Sequence, residues 1–156
     1  MATAADSRTP SRLRSTPSWL ITHLAKQVGQ LQAAAFADGE WRRYHYALLA
    51  ALEEFGPASQ AALGRRCQID RSYVVEAINE LSDQGLVVRV ADPTDRRRNT
   101  ITITEAGAQR LHQLGETLDE VQDSLLAALS PEERGHLVRL LTRALEHHTH
   151  PPAETP

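Results

Sequence analysis

Apolar residues recur every three or four positions through most of this chain, and breaks in that rhythm divide it into elements. Leu20, Leu24, Val28, Leu31 and Ala35 form one helical stripe, opened by Thr16-Pro17, an N-cap residue followed by proline at the first helical position. The stripe predicts a first helix to about residue 37, closed by Asp38-Gly39. A second helix, about 41–55, places Tyr44, Leu48, Leu52 and Phe55 on one side, and Gly56-Pro57 stops it. Ser59 is then placed to cap a short helix over about 60–66, with Ala62 and Leu63 pointing inward. Cys67-Gln68-Ile69 reads as a tight connection with Ile69 inward. Asp70 follows as the cap of another helix, about 71–84, whose apolar side carries Val74, Ala77, Ile78 and Leu81. Gly85 stands where a left-handed residue would end that helix.

Beyond Gly85 the period shortens to two. Residues 86–91 favour a strand, and 100–104 alternate Thr and Ile. Between them Asp92-Pro93-Thr94-Asp95-Arg96-Arg97-Arg98-Asn99 is a turn-rich, basic loop. Two short helices on a tight turn, then a hairpin with a charged tip, is the order of a winged helix-turn-helix. The helical rhythm then returns: Leu111, Leu114, Leu118, Val121 and Leu125 make a heptad-like seam suited to a partner helix. Ser130-Pro131-Glu132-Glu133 opens the last helix with a capping box, and Leu137, Leu140, Leu141, Ala144 and Leu145 line its apolar face.

The predicted fold is therefore mainly α with a small β-hairpin wing, dimerising through its N- and C-terminal helices. Neither the first helix nor the 111–125 seam has an evident mate within 156 residues; the alternative is an intramolecular bundle. The expected organisation is a disordered tail (1–17), an N-terminal dimerisation helix (18–40), a winged helix-turn-helix DNA-binding domain (41–104), C-terminal dimerisation helices (105–147) and a disordered tail (148–156).

Charge matters here by its distribution. The net charge is −3, but 4 basic and 9 acidic residues fall in 100–156, against 7 and 6 in 64–99, where Arg96, Arg97 and Arg98 stand together. Positive potential is thus focused at the hairpin tip. With 41% hydrophobic and 24% charged residues the chain is built to fold, and no run approaches the roughly 18 apolar residues of a membrane helix. The N-terminal stretch has no apolar signal segment, and the single Cys67 excludes an intramolecular disulfide; both fit a cytoplasmic location. Sixteen arginines against one lysine suggest a high-GC bacterial source. No nucleophile elbow, phosphate loop or carboxylate pair suggests an enzyme.

Three segments carry a family resemblance: Leu86-Val87-Val88-Arg89, Asp92-Pro93-Thr94-Asp95-Arg96-Arg97, and Ile103-Thr104-Glu105-Ala106-Gly107. Together they resemble the wing of MarR-family regulators, where a D-P-x-D-R-R loop separates the strands and L-T-E-x-G opens the next helix. Ile103 stands where that motif has leucine. The resemblance covers about 19–145. It implies an obligate triangular dimer with interlocked terminal helices. It places the second helix of the helix-turn-helix in the major groove and a wing arginine in the adjacent minor groove. It implies, for many members, a repressor released by a small phenolic or other aromatic ligand, and for some a cysteine redox response. No cofactor, metal or catalytic residue is implied.

By motif position Arg97 enters the minor groove, whose negative potential attracts a guanidinium through shape, and Asp95 is placed to hold it. Arg96 and Arg98 are assigned to phosphates. On the recognition helix Arg71, Ser72, Tyr73, Val75 and Glu76 lie near the N-terminal end and off the core face. Arg71 suits guanine, Ser72 a phosphate or base, Glu76 the cytosine amino group and Val75 a thymine methyl. The family more often carries polar or basic residues where Val75 and Glu76 stand, so Glu76 either tunes specificity or faces solvent. Ser59 and Gln60 either donate to a phosphate or serve as a cap and a surface residue. Trp19, His23, Trp41, Tyr44 and His45 form either an aromatic ligand pocket or ordinary packing. Cys67 reads as a small buried residue rather than a redox switch, and His147, His148 and His150 as tail rather than a metal grip. The expected function is a sequence-specific double-stranded DNA-binding transcription regulator, a homodimeric repressor released by a small aromatic or phenolic ligand and reading a near-palindromic operator. The alternatives are a ligand-independent regulator or activator, and a winged-helix module that binds protein.

Overall fold

Seven helices and two strands are seen among residues 9–36, 43–91 and 99–149, which the computed structural model describes. They are α1 (Ser11–Arg14), α2 (Pro17–Ala35), α3 (Arg43–Phe55), α4 (Gln60–Cys67), α5 (Arg71–Asp83), β1 (Val87–Ala91), β2 (Asn99–Ile103), α6 (Glu105–Leu125) and α7 (Pro131–Thr149). The order is that of a winged helix-turn-helix flanked by helices.

Within the stretch expected to be a tail, α1 forms a single turn. The Pro10 carbonyl accepts from the N–H groups of Leu13 and Arg14 at 3.0 and 3.2 Å, and α1 packs on α2. Thr16 is the residue before α2, but its hydroxyl donates back to the Arg12 carbonyl at 2.7 Å and does not cap the helix. Asp70 likewise precedes α5 without a side-chain capping bond. Ser59 does cap, accepting the Ala62 N–H at 3.2 Å. The capping box of α7 closes both ways: Ser130 N–H donates to Glu133 Oε2 at 2.8 Å, and Glu133 N–H to Ser130 Oγ at 3.3 Å. The Ser130 N–H, and after it the Ser130 hydroxyl, hold the Glu133 carboxyl below its ordinary pKa. The expected 148–156 tail starts inside α7, and residues 150–156 lie outside the described residues, as do 1–8.

The core is the meeting of α3, α4, α5 and the hairpin. Leu48, Leu49, Leu52, Leu63, Val74, Ile78, Leu81, Val87 and Ile101 are all fully buried, and Leu111 of α6 joins them. Such side chains each contribute about 1.5–3 kcal/mol of transfer free energy. Phe55 departs from the expected stripe. It is 55% exposed, and the Arg66 guanidinium covers its ring at 4.3 Å. The 111–125 seam also departs from expectation, because α2 and α3 of the same chain pack on α6. The surfaces left open are instead Leu20, Ile21 and Leu24 on α2, and Val138, Leu140, Leu141 and Leu145 on α7. Arg134 fixes the α6–α7 corner, donating to the Leu126 and Leu129 carbonyls at 3.1 and 3.2 Å and to Asp123 at 2.5 Å. Among the described residues no helix is long and apolar enough to cross a membrane.

β1 and β2 pair antiparallel from Val87↔Ile103 to Ala91↔Asn99. The other edge of β2 bonds Ala58: Ile101 N–H donates to the Ala58 carbonyl at 2.8 Å, and Ala58 N–H returns a bond at 3.1 Å. The hairpin is thus stitched to the linker between α3 and α4. A second tie lies at its base. Gly85 ends α5 with φ +70°, and Thr104 N–H donates to the Leu86 carbonyl at 3.0 Å. The Thr104 hydroxyl sits 2.8 Å from the Gly85 carbonyl, to which it donates, and accepts the Gly107 N–H at 3.0 Å. This packs the first turn of α6 so closely that a Cβ on Gly107 would lie 2.1 Å from the Leu86 oxygen. The helix-opening threonine and glycine of the sequence motif are therefore explained by contact.

Gly107→Ala is expected to destabilise the protein by roughly 2–4 kcal/mol in urea unfolding, since backbone, not a flexible side chain, must give way. Gly115→Ala, in the same helix with open space around its would-be Cβ, is expected to stabilise by about 0.5–1 kcal/mol. Equal effects at the two positions would refute the close approach.

Candidate nucleic-acid interface

The turn between α4 and α5 is compressed by its own residues. Gly64 lets the chain fold back, for a Cβ there would meet the Ile69 oxygen at 3.1 Å and Val74 Cγ2 at 3.3 Å. Gln68 takes the left-handed conformation (φ 54°, ψ 42°), and Ile69 N–H closes the turn on the Gly64 carbonyl at 2.9 Å. Cys67 is half-buried, its thiol donating to the Ala47 carbonyl at 3.4 Å. Burial pushes its pKa up, outweighing the lowering influence of nearby Arg66. That is the environment of a packed thiol and not of a reactive thiolate.

With Val74, Ala77, Ile78 and Leu81 buried, α5 turns Arg71, Ser72, Tyr73, Val75 and Glu76 outward. A groove of about 1170 Å³ runs between α4, the start of α5 and the hairpin. Ser59, Gln60 and Arg71, all expected from sequence, line it. So do Arg65, Gln68, Arg89, Asn99 and Thr100, which sequence reasoning missed. Among the described residues that line it, three arginines face one carboxylate, Asp70, which favours an anion. Ser59 Oγ accepts from its own helix, which leaves its hydroxyl hydrogen for an outside acceptor. Arg89 was signalled by strand alternation: it follows buried Val87 by two positions and shares its face. There its guanidinium donates to Asn79 Oδ1, tying the hairpin to α5.

The four described members of the expected aromatic pocket fall into two pairs. Trp19 and His23 stack one turn apart on α2 with centroids 3.7 Å apart, and His23 Nδ1 lies 2.9 Å from the Trp19 carbonyl oxygen. Tyr44 and His45 turn instead to α5. Tyr44 stacks on Tyr73 with centroids 5.3 Å apart, and the buried His45 places Nε2 2.8 Å from Glu80 Oε2. Trp41, Asp95, Arg96, Arg97 and Arg98 lie outside the described residues. His147 and His148 meet edge to face at 5.3 Å on α7, and His150 also lies outside the described residues. A smaller acidic cleft between α3 and α6 brings His112 Nε2 to 3.1 Å from Glu53 Oε1.

The sequence profile of the MarR family matches residues 42–98. Over 108 residues the chain is 35% identical to a protein of Thauera aromatica named for transcriptional regulation of the hcr operon, a match covering 69% of this chain and 65% of that protein. The crystal structure of a probable transcriptional regulator from Pseudomonas aeruginosa is 30% identical, with a TM-score of 0.74 over 85% of this chain and 99% of that one. BpsR of Bordetella bronchiseptica, whose DNA binding is regulated by 6-hydroxynicotinic acid, shares the fold at 22% identity. Its TM-score is 0.77, over 88% of this chain and 99% of that one.

Alkylation of Cys67 by iodoacetamide is expected to be several-fold slower at neutral pH than that of a free cysteine. Its rate should keep rising above the pH at which an ordinary thiol has ionised, because the folded pKa is raised. Urea should abolish the difference; a fast, pH-flat reaction in the folded protein would contradict the packing described.

Proposed function

Since the chain belongs to the MarR family of winged-helix transcription regulators, we propose that it binds double-stranded DNA sequence-specifically as a homodimer and represses transcription until a small aromatic or phenolic ligand releases it. The observation that carries the DNA-binding reading is the groove in which Arg65, Arg71 and Arg89 converge between the exposed end of α5 and the hairpin. In this reading α5 enters the major groove with Arg71, Ser72, Val75 and Glu76 at base edges or phosphates. Ser59 and Gln60, at the start of α4, donate to the backbone. The hairpin tip brings Arg97 to the minor groove, steadied by Asp95, with Arg96 and Arg98 on phosphates. The chain performs no catalysis in this role.

The open apolar faces of α2 and α7 support dimerisation, and two-fold pairing demands a near-palindromic operator with half-sites about one helical turn apart. The domain division follows from this: 18–40 and 105–147 form the dimer, and 41–104 reads DNA in the cytoplasm. The release step takes its support from the regulation of BpsR by a hydroxylated aromatic acid.

Fluorescence anisotropy with duplex from upstream of the protein's own gene tests this. Nanomolar binding with a steep negative salt dependence is expected, weakened at least tenfold in Arg97→Ala. Equal, weak binding to every duplex, indifferent to Arg97, would refute it. Leu141→Glu is expected to shift the protein toward monomer in analytical ultracentrifugation and to weaken DNA binding with it.

A further inference from the structure

Tyr73 is the third residue of α5, off the core face and 48% exposed, which by position alone makes it a reader of DNA. Its ring is otherwise engaged. It lies on the ring of Tyr44 with centroids 5.3 Å apart and planes inclined by 26°, an offset stack between α3 and α5. Behind Tyr44 sits Arg43, whose guanidinium carbon is 4.6 Å from the ring centroid and whose NH2 group donates to the Tyr44 hydroxyl at 2.6 Å. Two turns further along α5, Glu80 meets His45 at 2.8 Å. Adjacent residues of α3 therefore grip α5 at positions 73 and 80, about 10 Å apart along its axis. The core residues Val74, Ala77, Ile78 and Leu81 fix how deeply α5 sits. The flank contacts fix its rotation, and so the direction in which Arg71, Ser72, Val75 and Glu76 project.

We propose that Tyr73 is a positioning residue for the DNA-reading helix, acting through its stack on Tyr44, and not a contact to base or phosphate. This rests on the DNA-binding reading above. The face of the Tyr73 ring that lies on Tyr44 is closed to any other partner, and the stacking partner comes from a helix outside the helix-turn-helix.

The test uses full-length protein and a duplex that the wild type enriches from a random pool, with affinities measured by anisotropy across a salt series. Tyr44→Ala and Tyr73→Ala are each expected to weaken binding about three- to tenfold, the range that loss of one aromatic pair allows. The double variant should be no weaker than the worse single one, because both remove the same contact. Tyr73→Phe should bind as the wild type does. The slope of log affinity on log salt should stay unchanged, since no phosphate contact is lost. If an alanine variant folds poorly by circular dichroism, Tyr44→Leu carries the same test. Additive losses, a Tyr73→Phe as weak as Tyr73→Ala, a slope reduced by about one, or an unaffected Tyr44→Ala would each overturn the assignment and make Tyr73 a direct contact. A wild type that enriches no duplex would overturn the DNA-binding reading itself, and the assignment with it.

Discussion

The first turn of α6 lies against the backbone of Leu86 with no room for a Cβ at Gly107, and the arrangement of the other elements follows from that contact. Thr104 makes it possible by serving two backbones at once, giving its hydroxyl hydrogen to the end of α5 and receiving the Gly107 N–H. The exit of the recognition helix, the base of the wing and the entry of the long helix are thereby one structural node. Leu111 can then reach the core from α6, and α2 can lie along the same helix.

On this frame the charge is arranged against the sign of the whole molecule. A chain of net charge −3 presents Arg65, Arg71 and Arg89, among its described residues, in one groove between α4, α5 and the hairpin. Acidic residues gather elsewhere, as in the cleft where Glu53, Glu54, Glu116 and Asp119 lie between α3 and α6. A polyanion therefore meets opposite fields on different faces, which orients its approach as well as attracting it.

The parts of this fold that were legible in the sequence are those decided by near neighbours. The left-handed Gly85, the Ser59 cap, the Ser130–Glu133 box and the buried stripe of α5 depend on residues within a turn or two. Phe55 was misplaced because periodicity does not reveal that Arg66 covers it at the surface. Thr16 and Asp70 occupy cap positions, yet one hydroxyl found the Arg12 carbonyl instead and the Asp70 side chain makes no cap bond. The seam on α6 read as unmated because its partners, α2 and α3, lie more than fifty residues away in the chain. The same limit applies to the site. The outward placement of Arg71, Ser72, Val75 and Glu76 was legible because they share one helix. The Tyr44–Tyr73 stack, the His45–Glu80 pair and the Arg89–Asn79 tie join separate elements and leave no local trace.

The two hydrogen bonds between Ala58 and Ile101 link the wing to the segment that leaves α3. Gly56-Pro57 is all that intervenes, so the last turn of α3 and the middle of β2 share a short, nearly inextensible tether. α3 also holds α5 through two side chains. A rotation of α3 about its axis would therefore drag recognition helix and wing together, in the manner of a crank with two arms. Spacing between α5 and the hairpin would be preserved while their common bearing changed, as two fingers of one hand keep their distance when the wrist turns.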